Sequence, residues 1–339
     1  MTSIRASFSG MALAAALAMS VLGKPMLGAE DTEGAMRALV RVRATVPAEA
    51  TTAPSLGTER EGNGIVIDSD GLILTIGYLI VEATRIEVQT AEGSFPADFV
   101  GYDGDTGFGL VRIRPPAKLH PMQLGESSPI AAGDTLEVGG FGAAAQSVQV
   151  ISRAEFVGNW EYLIDDAVYT TPPFRDYGGA ALMSEGKLVG VGSIFETFLL
   201  SGVGRVGCNM FVPIDLLKPI LQEMLRSGRS GSPPRPWLGL NTAETEGRVV
   251  VTMVTPGGPA EKAGLHPGDI ILAVGKKPVA EIAEFYRQLW STGSAGVIVR
   301  LRVLQGDDIR NLTVKSVDRS ERLHRSQGSP GGSPANPAA

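Results

Sequence analysis

Residues 170–191 read TTPPFRDYGGAALMSEGKLVGV. Two apolar runs, Ala180–Met183 and Lys187–Val191, flank Ser184-Glu185-Gly186, and turn residues between half-buried runs predict a β-hairpin. A tight glycine turn, Asp176-Tyr177-Gly178-Gly179, stands directly before it. Outward from this stretch the same grammar recurs. Toward the N-terminus, Val40–Val46, Gly64–Asp68, Leu72–Ile80, Arg85–Thr90, Ser94–Tyr102 and Phe108–Ile113 are short apolar runs parted by Asp-Gly, Glu-Gly or Gly-Asp turns. Six strands so closely spaced predict a closed antiparallel barrel. Past Arg114-Pro115-Pro116 a second set begins: Asp134–Phe141, Ser147–Val157, Trp160–Ile164, Val168–Thr171, Ala180–Met183, Lys187–Ile194 and Cys208–Val212.

Composition agrees with turn-rich β structure. The chain has 339 residues, 43% of them hydrophobic, with 43 Gly and 22 Pro, enough for two or three domains with separate cores. A formal charge of -6 and scattered arginines supply no basic stripe for phosphates, which argues against nucleic acid as a partner. Lone Cys208 excludes an internal disulfide and a CxxC metal site, and its apolar run predicts a buried, inert thiol. His120, His266 and His324 have no ligand-spaced partners, so neither metal nor cofactor is expected.

The ends and joints are also readable. Residues 1–29 have the form of a secretory signal: Arg5 in a positive start, Met11–Leu22 apolar, and Ala29 before Glu30. The apolar part is short for a span of about 20 residues. Leu27 fits the A-x-A cleavage pattern imperfectly, so an uncleaved anchor is the alternative; either way the folded part is exported to the periplasm or envelope. Asp31–Leu39 suits a short helix and Pro47–Gly62 a polar loop. Pro213–Ser227 predicts a helix capped by Asp215 and ended by Gly228, with Pro219 near its first turn. The linker 227–236 is Gly/Ser/Pro-rich, flexible first and stiffer toward its prolines. Residues 237–319 form a separate module, Glu281–Trp290 its helix, and 320–339 a disordered Ser/Gly/Pro/Ala tail.

Three segments carry a family resemblance. Gly178-Gly179-Ala180 through Gly186, Leu188 and Gly190 resembles the nucleophile-bearing G-N-S-G-G-A-L…G-x-L-[VI]-G-[VI] of trypsin-like HtrA/Deg proteases, and puts Tyr177 at the serine. Gly64-Ile65-Val66-Ile67-Asp68 through Thr75 is similar to that family's G-x-[VI]-I-D-x-x-G-x-[IV]-[LV]-T-N-x-H-V, with Tyr78 at the histidine. Gly101-Tyr102-Asp103 followed by Leu110-Val111 resembles G-x-D-x-x-x-D-[IL]-A-[LV]-[IV], with Gly107 at the aspartate. The resemblance implies a mainly β, chymotrypsin-like double six-stranded barrel over 30–226. It also implies that every triad position is substituted.

Catalysis by such a triad needs a nucleophile, a base touching it and a group orienting that base. A phenol of pKa about 10 is a poor proton acceptor at Tyr78, Gly107 has no side chain, and Tyr177 is too long to stand for a serine. Arg175 replaces the glycine usual in the oxyanion loop, and Asp176 adds negative charge where negative charge must be stabilised. Asp105, about 7 Å of extended chain from Gly107, has no imidazole to hold. A Tyr78–Asp105–Arg175 constellation is conceivable, but two tyrosines packing a vacated cleft is the simpler reading.

The pattern Val254-x-Pro256-Gly257-Gly258-Pro259-Ala260-x-x-Ala263-Gly264-Leu265-x-x-Gly268-Asp269-x-Ile271 resembles bacterial PDZ domains, with Gly258 for a usual serine and Gly275 one place early in its turn. The resemblance makes Trp237-Leu238-Gly239-Leu240 the carboxylate-binding loop and the strand on to Thr242 the edge for an added peptide. Ile282, Phe285 and Leu289 share one helix face, which either walls a groove or serves the module's own core. Three functions follow as expectations: an inactive homologue binding C-terminal or unfolded peptides; an active endopeptidase with unconventional residues; or a structural subunit of a homo- or hetero-oligomer, trimeric by resemblance.

Overall fold

The computed structural model describes residues 29–114, 119–200 and 204–323. The expected leader, apart from Ala29, and the tail beyond Leu323 lie outside them. Among the described residues no helix is long and apolar enough to cross a membrane.

A short helix α1 (Ala29–Met36) precedes the first barrel. Its strands are β1 (Leu39–Thr45), β2 (Glu59–Val66), β3 (Leu72–Ile76), β4 (Arg85–Thr90), β5 (Gly93–Tyr102) and β6 (Phe108–Ile113). They close in the order β1-β2-β3-β6-β5-β4. Two boundaries differ most from the expectation. β2 begins at Glu59, inside the expected polar loop, because Glu59-Arg60-Glu61 pair across to β1, Arg43 reaching Glu61 at 2.8 Å. The same loop holds a one-turn helix α2 (Ala53–Leu56). β3 stops at Ile76, and a 3₁₀ turn over Gly77–Leu79 takes Tyr78 out of the sheet.

The second barrel contains β7 (Thr135–Gly139), β8 (Gln146–Gly158), β9 (Tyr162–Thr171), β10 (Ala181–Ser184), β11 (Lys187–Leu200) and β12 (Gly204–Pro213), closed as β10-β11-β12-β9-β8-β7. Tyr162–Ile164 and Val168–Thr171 belong to one strand, Trp160 and Glu161 to the turn before it; at exposed Asp165-Asp166 the pairing with β8 shifts register between Ala154↔Ala167 and Phe156↔Ile164. Val42, Ile65, Leu74, Leu110, Cys208 and Met210 are fully buried in a core shared by both barrels. Burial pushes the Cys208 thiol up to about 12, so it stays protonated and unreactive near neutrality.

The closing helix is split. A 3₁₀ turn over Ile214–Leu216 is followed by α3 (Leu221–Ser227), since Pro219 withholds an amide donor mid-segment. Asp215 does not cap it. Its carboxylate accepts from the Ser127 and Ser128 amides and pairs with Lys218 at 2.8 Å. Gly228 ends α3 in the left-handed conformation, φ 77°.

The C-terminal module is a six-stranded sheet of β13 (Leu240–Thr245), β14 (Arg248–Val254), β15 (Ile270–Val274), β16 (Lys277–Pro278), β17 (Ile298–Gln305) and β18 (Asp308–Lys315). The short α4 (Pro259–Lys262) and α5 (Ile282–Trp290) accompany it. The segment expected to be a flexible linker is tied down. The Gly228 carbonyl accepts from Tyr102 N at 3.0 Å, Ser230 Oγ donates to Asp103, and Arg235 meets Asp105 at 3.1 Å while lying over the Trp290 ring. Nor does order end at Arg319: Arg319–Arg322 form a 3₁₀ turn, and Arg322 donates to the Gly257 and Pro256 carbonyls.

Candidate functional site: a cleft between barrels and a carboxylate loop

Tyr78 and Tyr177 approach from opposite barrels. Burial first, and then the nearby Tyr177, drive the Tyr78 phenol well above its ordinary value. Tyr78 Oη donates to the Ser193 carbonyl at 2.9 Å and lies 2.7 Å from where a Gly178 Cβ would stand. The ring thus fills the seam next to the Asp176–Gly179 turn. Gly107 is tied to the residue before Tyr78, its carbonyl accepting from Gly77 N at 2.7 Å. Its φ is 80°, and a Cβ there would stand 2.9 Å from Tyr162 Oη. The residues expected at the three triad slots therefore come together, and none presents a base or a short nucleophile.

The glycine turn is fixed by β2. Fully buried Asn63 donates through its side chain to the Asp176 carbonyl at 2.6 Å, and its main-chain amide donates to the Gly178 carbonyl at 2.7 Å. Its Oδ1 accepts from Phe141 N at 2.8 Å. Arg175 and Asp176 are exposed, and the Asp176 carboxylate faces Arg41 at 4.0 Å. Asp105 is drawn away toward Arg235, so the Tyr78–Asp105–Arg175 constellation does not assemble. Burial pushes the Asp105 carboxyl up to about 6, with Arg235 opposing.

The second site is built at the start of the C-terminal module. Trp237 pairs through its backbone with Val317, and Gly239 takes φ 82°, a left-handed step that turns successive amides to one side. The amides of Leu238, Gly239 and Leu240 converge on one carboxylate, that of Glu161, at 3.0, 2.7 and 3.0 Å. Glu161 belongs to the turn between β8 and β9 of the second barrel and is 7% exposed. Burial raises its carboxyl, and the three amides act in the opposite sense. Thr242 N donates to the Asn159 carbonyl at 2.9 Å. Tyr286 Oη accepts from Glu161 N at 3.0 Å and donates to the Gly158 carbonyl at 2.9 Å.

Ile282, Phe285 and Leu289 are buried in the module's own core, in the cluster that Leu163 of the second barrel also enters. They are core packing and not an open wall. Sequence reasoning missed Glu161, Asn159 and Tyr286. Nothing local marks a turn glutamate as the partner of amides 77 residues away, whereas Tyr286 was discoverable as the polar-tipped aromatic beside the Phe285 face.

The fold defines a class: a trypsin-like double barrel followed by a PDZ domain. Residues 62–191 match the trypsin-like peptidase domain family and 236–316 the PDZ domain family. The chain is homologous to HtrA-type serine endoproteases. It is 28% identical over 272 residues to the periplasmic pH-dependent serine endoprotease DegQ of Escherichia coli, covering 74% of this chain and 58% of that protein. It is 30% identical over 224 residues to the serine endoprotease DegS of Haemophilus influenzae, covering 62% and 64%. The chain thus spans somewhat more than half the length of these curated relatives. Its fold is that of the serine endoprotease from Yersinia pestis, with TM-score 0.52, 23% identity, and 85% and 97% of the two chains covered. It is likewise that of the HtrA-type protease AlgW solved with a tripeptide, with TM-score 0.51, 22% identity, and 88% and 97% covered.

Proposed function

We propose that this chain is a catalytically inactive HtrA-like homologue of the cell envelope that binds peptides or unfolded polypeptide through its PDZ module, as chaperone, adaptor or regulator. The observation that carries the inactive half is Tyr78: a neutral phenol, hydrogen-bonded to the Ser193 carbonyl, occupies the seam where a histidine base would have to face a serine. A phenol donating its only proton to a carbonyl takes none from a nucleophile. Gly107 and Tyr177 supply neither orienting carboxylate nor hydroxymethyl group. In a comparable protease, loss of serine or histidine alone lowers kcat by about 10⁶.

The binding half is supported by the loop at Leu238–Leu240, whose three amides already hold a carboxylate. Backbone amides read a carboxylate whatever chain carries it. The envelope location is supported by the leader-like residues 1–29 and by the periplasmic relative. Oligomerisation with itself or an active relative belongs to the same proposal.

Two assays on the purified chain test it. Incubation with casein yields no fragments above a buffer blank; fragments that disappear in Tyr177→Ala overturn the inactive reading. Calorimetric titration with decapeptides ending in apolar residues yields saturable binding that a C-terminal amide removes. No binding by any such peptide, even when the loop is unblocked as described next, overturns the binding reading.

A further inference from the structure

The peptide-binding loop of this chain is occupied from within. In β-augmentation an incoming strand pairs with an exposed edge while its terminal carboxylate enters a ring of amides. The β8–β9 turn makes one bond to that edge and fills the ring of amides. Asn159 offers its carbonyl to Thr242 N, and two residues later Glu161 delivers its carboxylate to Leu238, Gly239 and Leu240. Two residues on again, Leu163 enters the hydrophobic core of the PDZ module. Tyr286 clasps the turn from α5, bonding both Gly158 and Glu161.

The backbone also reads as a held conformation. Glu161 has φ 58°, a region side-chain-bearing residues avoid unless their surroundings fix them. Here the amide of that strained residue is bonded to Tyr286 and its side chain to three further groups. Arg319 adds a donor to the Trp160 carbonyl at 3.3 Å, and Arg287 pairs with Glu155 and Asp165 on either side of the turn.

We propose that Glu161 is an internal ligand of the carboxylate loop, so that a peptide with a free C-terminal carboxylate binds only by displacing the β8–β9 turn. The proposal rests on the reading of the PDZ module as a carboxylate binder. It assigns the second barrel a task without catalysis: its turn is the competitor that sets which chain ends gain entry. Displacement also releases Asn159 and Glu161 from the module.

The test uses the full chain, its Glu161→Ala and Glu161→Gln variants, and an acetylated decapeptide ending in Val-Leu as free acid or amide. Amide hydrogen exchange without peptide is measured first. Leu238–Leu240 are protected in the parent and exchange at least about tenfold faster in Glu161→Ala, as expected on losing charge-assisted bonds. Unchanged exchange there overturns the internal-ligand assignment. Affinity for the free acid then rises in the order parent, Glu161→Gln, Glu161→Ala, by at least about tenfold overall, while the amide stays weak. If the loop opens but the variants bind no tighter than the parent, displacement is overturned. If the loop opens and nothing binds any form, the peptide-binding function falls while Glu161 keeps its place. Thermal unfolding of Glu161→Gln, which preserves size, separates these outcomes from a failure to fold.

Discussion

At the scale of single residues, Gly107 says most about the cleft. With φ 80° and Tyr162 Oη 2.9 Å from a prospective Cβ, the position rejects an aspartate on both backbone and space. Rebuilding the triad as Tyr78→His, Gly107→Asp and Tyr177→Ser is therefore expected to leave casein turnover at background. Gly107→Asp alone should lower stability by about 1–3 kcal/mol in urea denaturation. Tyr78→Phe removes the bond to the Ser193 carbonyl, with an expected loss of about 1–2 kcal/mol. Asp105 gives a pH signature. Its folded-state carboxyl sits at about 6, above its unfolded value, so the folded form holds the proton more tightly. The stability it contributes is present at pH 4 or below and is lost as pH rises through 6. Asp105→Asn should flatten that decline, seen as a shrinking difference between parent and variant on a urea-midpoint profile from about pH 4 to 7.

At the scale of elements, legibility followed locality. The 184–186 hairpin was readable because Glu185 and Gly186 take the positive φ that the turn demands, 51° and 69°. β4 and β6 were readable to the residue because their buried and half-buried positions alternate or run continuously within one strand. β2 was not, since Glu59-Arg60-Glu61 look like loop until Arg43 and Thr45 stand opposite them. The 213–227 helix kept its apolar period but lost continuity at Pro219, and Asp215 found Ser127 and Ser128, 88 and 87 residues away. The turn over 158–161 shows the limit most clearly. Its sequence gives a turn; its partner, the 238–240 loop, is fixed only by tertiary placement. Asn63 lies between the expected loop and the expected strand, with nothing local to mark it, yet it bonds Asp176 and Phe141 of the second barrel. Asn63→Ala should lower stability by about 1–3 kcal/mol by leaving buried groups unpaired, measurable from the urea midpoint.

At the scale of the molecule, the second barrel and the PDZ module pack against each other. Glu161 and Leu163 cross the boundary with a buried carboxylate and a core side chain, while the Arg287 pairs with Glu155 and Asp165 lie at the exposed rim. Rim pairs contribute little, about 0–1 kcal/mol. Leu163→Ala should therefore split a single calorimetric transition into two, whereas Arg287→Ala should leave it intact. A cavity of about 100 Å³ lies at this junction, lined by Asp105, Glu161, Arg235, Trp237 and Trp290 among others, so the barrels, the linker and the module all meet where the carboxylate is held.

The proposed function requires a cleft with no working nucleophile. Treatment of the purified chain with a biotinylated fluorophosphonate, read by intact mass, tests this directly. The prediction is an unmodified mass under conditions that label an active HtrA-type protease to completion. A stoichiometric adduct on any hydroxyl lining the Tyr78–Tyr177 cleft would contradict it.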